Sequence, residues 1–248
     1  MAFSFAGTTH AVMMASPADF EDFALGFSIT EGIIASPDEI ETIEVEDFAS
    51  AGEGAGIDIQ IRLKDKANTR FEARRRRLAG PVGCGLCGIE SIEEAMRSVD
   101  RVGQSTLTLS DKDISGAVLL LSKQQPLHAE TGAVHAAGFY VPGKGIVLAR
   151  EDVGRHNALD KLAGALAKAT IDGASGAVVV TSRVSVEMVQ KAAAIGSAFI
   201  IAVSAPTALA IRTAEEAGMT LIALVRGNDF DVFTHPDRVA SGVARHVA

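Results

Sequence analysis

Apolar and polar positions follow several rhythms along the chain. The first fifteen residues alternate around Ala6-Gly7-Thr8-Thr9 and predict a hairpin. Ser16-Pro17 predicts a helix start, with Ser16 as N-cap and Pro17 at the first helical position. Phe20, Phe23, Ala24 and Phe27 then share one face, so this helix is expected to pack on another element. Ser36 to Glu39 carry a capping box and predict a second helix start. GIDIQIRL, residues 56–63, alternates as a strand, and NTRFEARRRRLA predicts a short basic helix. Residues 89–98 and 111–123 predict two more helices. AVHAAGFYV and GIVLARE then predict a hairpin turned at Pro142-Gly143-Lys144-Gly145.

From there the chain alternates regularly. A helix is predicted over 154–169, a strand at GAVVVTS, a helix over 185–195 and a strand at AFIIAVS. The helix TALAIRTAEEAG and the strand TLIALVRG complete the series. Strands that are apolar throughout, alternating with helices, imply a parallel sheet covered on both faces. The expected fold class is α/β: a three-layer domain over 89–248, preceded by a small α+β domain over 1–79. Residues 80–88 form a loop between them.

Composition changes little in this picture. The 248 residues are 48% hydrophobic and 22% charged, which suits a globular chain with a sizeable core. No apolar run reaches the roughly 20 residues that span a bilayer, so no membrane partner is expected. The N-terminal stretch lacks the charged and apolar regions of a signal peptide, so a cytoplasmic location with reduced thiols is expected. A net charge of −8 argues against general nucleic-acid binding, although a local basic patch can still hold a phosphate.

The chemistry concentrates in two places. GPVGCGLCGIE, residues 80–90, holds both cysteines of the chain, Cys84 and Cys87. Two cysteines cannot complete a structural zinc site, and no histidine lies at zinc-finger spacing, so no metal is expected. A thiol pair among glycines suits a group that must reach both a donor and an acceptor. Arg74 to Arg77 directly precede it; they form a solvated basic face, or they favour the thiolate. His128-Ala129-Glu130 matches the H-x-E of zinc deaminases, but no cysteine follows Cys87 to complete that metal site.

The second concentration is at predicted strand ends. Glu151 and Asp152 end a strand, and Arg155, His156 and Asn157 open a helix, while His135 lies near the start of the hairpin's first strand. Thr181-Ser182-Arg183, Ser204 with Thr207, and Arg226-Gly227-Asn228 follow three further strands. Polar groups at the C-terminal ends of parallel strands form ligand sites, and helix N-termini there attract anions. A phosphate-bearing ligand is expected. Neither a dinucleotide-binding nor a P-loop glycine pattern is present.

With these residues in view the chain resembles the FdhD family of sulfur-carrier proteins needed for formate dehydrogenase maturation. The matching segments are DFALGFSITEGII, CGLCGIES, TGAVHAA, EDVGRHNALDKL, TSRVSVEMVQKAA, VSAPTALA and THP. The resemblance implies a cytidine-deaminase-like fold for the larger domain, without zinc chemistry. It implies a homodimer, a cysteine desulfurase as sulfur donor and a formate dehydrogenase apoenzyme as client. It implies the bis-molybdopterin guanine dinucleotide molybdenum cofactor as ligand, with Leu224, Val225, Arg226, Gly227, Asn228 and Asp229 as its binding segment. Cys84 would carry sulfur as a persulfide, and Cys87 would release it by disulfide formation or share the carrier role. Two other functions fit the same residues: a non-catalytic cofactor chaperone and a thiol–disulfide oxidoreductase.

Overall fold

The computed structural model describes residues 1–47, 56–78, 101–102 and 105–240. Cys84, Cys87 and the helix expected over 89–98 lie outside them. The N-terminal part is a four-stranded sheet in the order β2-β1-β4-β3, made of β1 (Ala2–Phe5), β2 (Thr8–Val12), β3 (Ile40–Asp47) and β4 (Ile57–Leu63). The expected hairpin joins β1 and β2, with Ala6 and Gly7 both at positive φ, as a tight hairpin turn demands. Alternation sends Phe3, Phe5, Ile59 and Ile61 to one face, where α1 (Phe20–Thr30) and α2 (Asp65–Leu78) cover them. The Phe3 ring stacks on Phe27 at 4.5 Å and meets Phe23 edge-on at 4.8 Å. Arg74 to Arg77 fall in the last turns of α2.

Two local expectations give way to longer-range contacts. Helix α1 starts at Phe20, with Asp19 as a left-handed N-cap, because the Ser16 hydroxyl and N–H are taken by residues 152 and 153. The capping residues at 36–39 close a single 3-10 turn, Pro37–Glu39, rather than a helix. The Glu39 carboxylate accepts from the Ala35 N–H and pairs with Arg70 at 2.6 Å. The next residues, IETIEVED, alternate as an edge strand and carry the chain into β3.

The larger part is a six-stranded sheet in the order β11-β10-β9-β8-β6-β7. Its strands are β6 (His135–Val141), β7 (Gly145–Asp152), β8 (Ala177–Val180), β9 (Phe199–Ala202), β10 (Thr220–Arg226) and β11 (Asp229–Val232). The sheet is mixed: β8, β9 and β10 run parallel, as expected of strands joined through helices, while the β6–β7 hairpin and β11 run antiparallel to their neighbours. Helices α5 (Arg155–Lys168), α6 (Val186–Ala194) and α7 (Ala208–Ala217) pack side by side along one face. Helix α3 (Asp111–Ser122) crosses the other face, with Leu121 over Gly138, and α4 (Pro126–Thr131) leads into β6. A short parallel pair, β5 (Leu109–Ser110) with β12 (Val239–Ala240), forms a separate two-stranded sheet. No helix among the described residues is long and apolar enough to cross a membrane.

The two parts meet along α1 and α5. A Cβ on Gly26 would lie 1.7 Å from the Asp160 carbonyl oxygen, and one on Gly164 would lie 1.8 Å from that of Asp22. Only glycine permits this backbone-to-backbone crossing. Ion pairs flank it. Arg150 holds Asp22 at 2.6 Å, and Lys191 holds both Asp160 and Glu31 at 2.8 Å. Thr30 donates its hydroxyl to Asp160, and Lys191 lies over the Phe27 ring. Burial opposes the Lys191 charge, but Asp160 and Glu31 outweigh that penalty and raise its pKa.

Candidate functional site: a strand-end edge

The sheet brings most of the sequence candidates to one edge. β8, β9 and β10 end there, β7 ends there, and antiparallel β6 begins there. In register, Val180 pairs with Ala137 and Ala202, and His135 pairs with Asp152. Thr181-Ser182-Arg183, Ser204, His135 and Asp152 therefore lie on the same edge, as do the N-termini of α5, α6 and α7 carrying Arg155, His156 and Thr207. Residues 224–229 form the β10–β11 hairpin at its far end.

Their side chains divide by accessibility. Arg183, Arg226 and Asn228 are exposed, and Ser204 is half-buried. Thr181 is committed to the fold, since its hydroxyl oxygen accepts from the Ala136 N–H at 2.9 Å. Ser182 is buried and donates to the Arg183 carbonyl. The loops after β8 and β9 are tied together: the Val184 N–H donates to the Ala205 carbonyl, and the Thr207 N–H donates to the Val184 carbonyl. At the hairpin, the register slips between Ala223 and Arg226, and Leu224 takes a φ of 56°. Leu224 thus sits in a left-handed conformation that a branched side chain rarely adopts, and such strain collects at functional positions.

Asp152 supports the edge from within. It is wholly buried, and its Oδ2 accepts from the Ser16 N–H at 2.9 Å and pairs with Lys161 at 2.7 Å. Its Oδ1 accepts from the Gly154 N–H and the Asn157 amide. The Ser16 hydroxyl accepts from the Val153 N–H, and its carbonyl accepts from Lys161. The result fixes the turn that presents Arg155 and His156. Sequence reading misses Ser16 and Lys161 in this role, because their partner Asp152 lies far from Ser16 in the chain and on a different element from Lys161.

His156 lies against the start of α6. Its Nε2 is 3.3 Å from the Ser185 hydroxyl and 4.0 Å from the Glu187 carboxylate. Burial, with the Arg155 and Lys191 charges, pushes its pKa down to about 4 against the pull of Glu187 and Glu31. His135 is lowered too, by burial and then by Arg155 and His128. Ser185 and Glu187 are further residues that sequence reading passes over; the signal available is the serine N-cap of α6 followed by an acidic first turn.

The His156 shift makes a testable statement about stability. Its folded pKa is depressed, so between its unfolded value near pH 6.5 and about pH 4 the unfolded chain binds a proton that the folded chain does not. Stability should therefore be fullest above about pH 6.5 and fall with acidification. His156→Asn should flatten this part of the profile in urea unfolding measured across pH. A slope unchanged by the substitution would remove His156 as its source.

The fold and this edge define a two-domain α/β protein with a mixed sheet whose polar groups gather at strand ends. Comparison with known proteins gives the same architecture a family. The model of the FdhD/NarQ family matches residues 1–240, and the chain belongs to that family. It is 57% identical over 239 residues to the sulfur carrier protein FdhD of Agrobacterium fabrum, covering 96% of this chain and 86% of that one. It is 53% identical over 239 residues to the sulfur carrier protein FdhD of Brucella abortus, covering 96% and 87%. Among solved structures it is similar to a protein from Desulfotalea psychrophila described as a formate dehydrogenase accessory protein. The TM-score is 0.72 at 26% identity, covering 96% of this chain and 87% of the other.

Proposed function

We propose that this protein is a sulfur carrier for formate dehydrogenase maturation, a sulfurtransferase working through a cysteine persulfide. The observation that carries the reading is the likeness, over nearly the whole chain, to relatives named as sulfur carriers. The clustering of both thiols at Cys84 and Cys87 supports it. In this reading a cysteine desulfurase hands sulfane sulfur to Cys84. The sulfur then passes to the bis-molybdopterin guanine dinucleotide molybdenum cofactor, the cargo, before it enters the apoenzyme. The protein works as a homodimer in the cytoplasm, and its larger part is a cytidine-deaminase-like domain over 89–248, joined through 80–88 to the domain over 1–79. Incubation with a desulfurase and cysteine should add about 32 Da to the peptide holding Cys84, the mass of one sulfur in a persulfide. Absence of that adduct, with cofactor binding retained, would favour a non-catalytic chaperone instead.

The strand-end edge is the cargo site in this proposal. It comprises Thr181, Ser182, Arg183 and Ser204, residues 224–229, and His135, Asp152, Arg155 and His156, with Asp152 acting from beneath. A guanine nucleotide should bind there with its phosphates at Arg183 and the helix N-termini. GDP should bind more tightly than ADP, because a pocket that hydrogen-bonds one base leaves groups unpaired when offered another. Arg183→Ala should weaken GDP by about 1.5–3 kcal/mol, the scale of a hydrogen bond to a charged group, and should weaken guanosine less. Calorimetry with GDP, ADP and guanosine decides this; equal affinity for GDP and ADP would remove the guanine preference.

A further inference from the structure

The cations at the buried side of the edge are not equally satisfied. Lys161 is matched by Asp152, and Lys191 by Asp160 and Glu31. Arg155 has no ion pair among the described residues, and the Glu187 carboxylate feels its charge without closing on it. Its Nε is wholly buried and has no hydrogen-bond partner. A buried donor left unpaired is costly and rare in native structures, and it marks a place where a further group completes the site. Arg155 opens α5, whose N-cap is Gly154, so no side chain caps the first-turn N–H groups either. His135 pairs with Asp152, three residues before Arg155, and His156 follows Arg155 in the chain; the guanidinium charge acts on both rings. The nearest carboxylate on α6, Glu187, is already engaged by the Ser185 hydroxyl and by its own backbone N–H.

The geometry points to an oxyanion subsite at the β6–β7–β8 end of the edge, built on Arg155 and flanked by His135 and His156, that accepts a phosphate group. It is separate from the phosphate position proposed at Arg183, and it rests on the reading of this edge as a phosphate site. A guanidinium with an unpartnered Nε–H suits a tetrahedral oxyanion. Burial and the Arg155 charge lower the pKa of both imidazoles and so favour their uncharged forms, which offer a donor without adding repulsion among cations. A bound oxyanion reverses the local balance at both rings and favours their protonated forms, so binding is coupled to proton uptake. Other charges also face these rings: Arg155, Lys191, Glu187 and Glu31 at His156, and Arg155 and His128 at His135. Of these, only the Glu187 and Glu31 carboxylates oppose an incoming anion at His156.

Sulfate is the probe, because its charge is constant across the range in which histidine titrates. Ring resonances of His135 and His156 are followed by NMR against pH, with sulfate and with chloride at matched ionic strength. Sulfate should raise the apparent pKa of both histidines, and chloride should not. Arg155→Gln should abolish the sulfate effect and weaken sulfate binding about tenfold or more, whereas Arg183→Ala should leave the effect on His156 in place. Glu187→Gln should tighten sulfate. If Arg155→Gln folds poorly, Arg155→Lys and the wild-type titration still decide: lysine keeps the charge but not the fork and should weaken sulfate. Histidine titrations untouched by sulfate, or an effect that survives Arg155→Gln, would overturn the subsite. Guanine preference can fail in the GDP comparison while this result stands, and the reverse holds too.

Discussion

Cys84→Ala should abolish formate dehydrogenase maturation while leaving the protein folded. The replacement removes the thiol that would accept the sulfane sulfur, and neither a hydroxyl nor an amine can substitute, because exchange at sulfur requires a thiolate. Among the described residues both hydrophobic cores assemble from the two sheets and their helices, with Phe3, Phe23 and Phe27 in one and Leu159, Val179 and Ile201 in the other. Thermal melting should therefore be close to wild type. Cys87→Ala should be milder or equal, because it leaves the attacking thiol in place. The measurement is dehydrogenase activity in cells that depend on the variant, paired with mass spectrometry of the cysteine peptide. A Cys84→Ala protein that still accepts sulfur and restores full activity would falsify the carrier assignment.

Asp160→Ala should strongly destabilise the domain junction, by about 3–5 kcal/mol, the cost of removing one partner of a buried ion pair. Lys191 is buried, and its ammonium contacts both oxygens of Asp160, at 2.8 and 3.1 Å. Without that carboxylate the lysine keeps only Glu31, Thr30 and the Phe27 ring. Urea unfolding of Asp160→Ala, Lys191→Met and the double variant tests the origin of the loss. The double variant should recover much of it, because no unpaired charge remains buried. Equal losses in the single and double variants would assign the cost to packing instead.

Local patterns make much of the architecture legible. The β6–β7 hairpin follows from two alternating runs around Pro142-Gly143, and Gly143 and Gly145 indeed take positive φ. The α5, α6 and α7 boundaries follow from periodicity and from the polar residues after each strand. The common edge of Thr181, Ser204 and Arg226 follows from topology, since parallel strands joined by helices must end on one side. Long-range partners are where local reading runs out. Ser16 carries a sound N-cap signature, yet it serves Asp152, Val153 and Lys161. Lys161 and Lys191 look like solvated helix positions because their carboxylates come from other elements or other turns. Strand β11 is hidden because Arg226-Gly227-Asn228 reads as a ligand motif, although it also turns a hairpin. Residues 36–39 look like a helix start because capping geometry serves one turn as well as many.

The crossing of Gly26 and Gly164 has a mechanical consequence. Where two helices meet through side chains, rotamer changes let one slide over the other in small steps. Here peptide faces peptide, and no side chain stands between them to adjust. Sliding is blocked, and separating the helices exposes the Asp160–Lys191 pair to water together with the apolar faces around it. The two sheets, with separate cores, should therefore unfold as one unit, which a single urea transition seen by probes in both parts would show. The α1–α5 junction is therefore a fixed support for the strand-end loops that both parts hold in place.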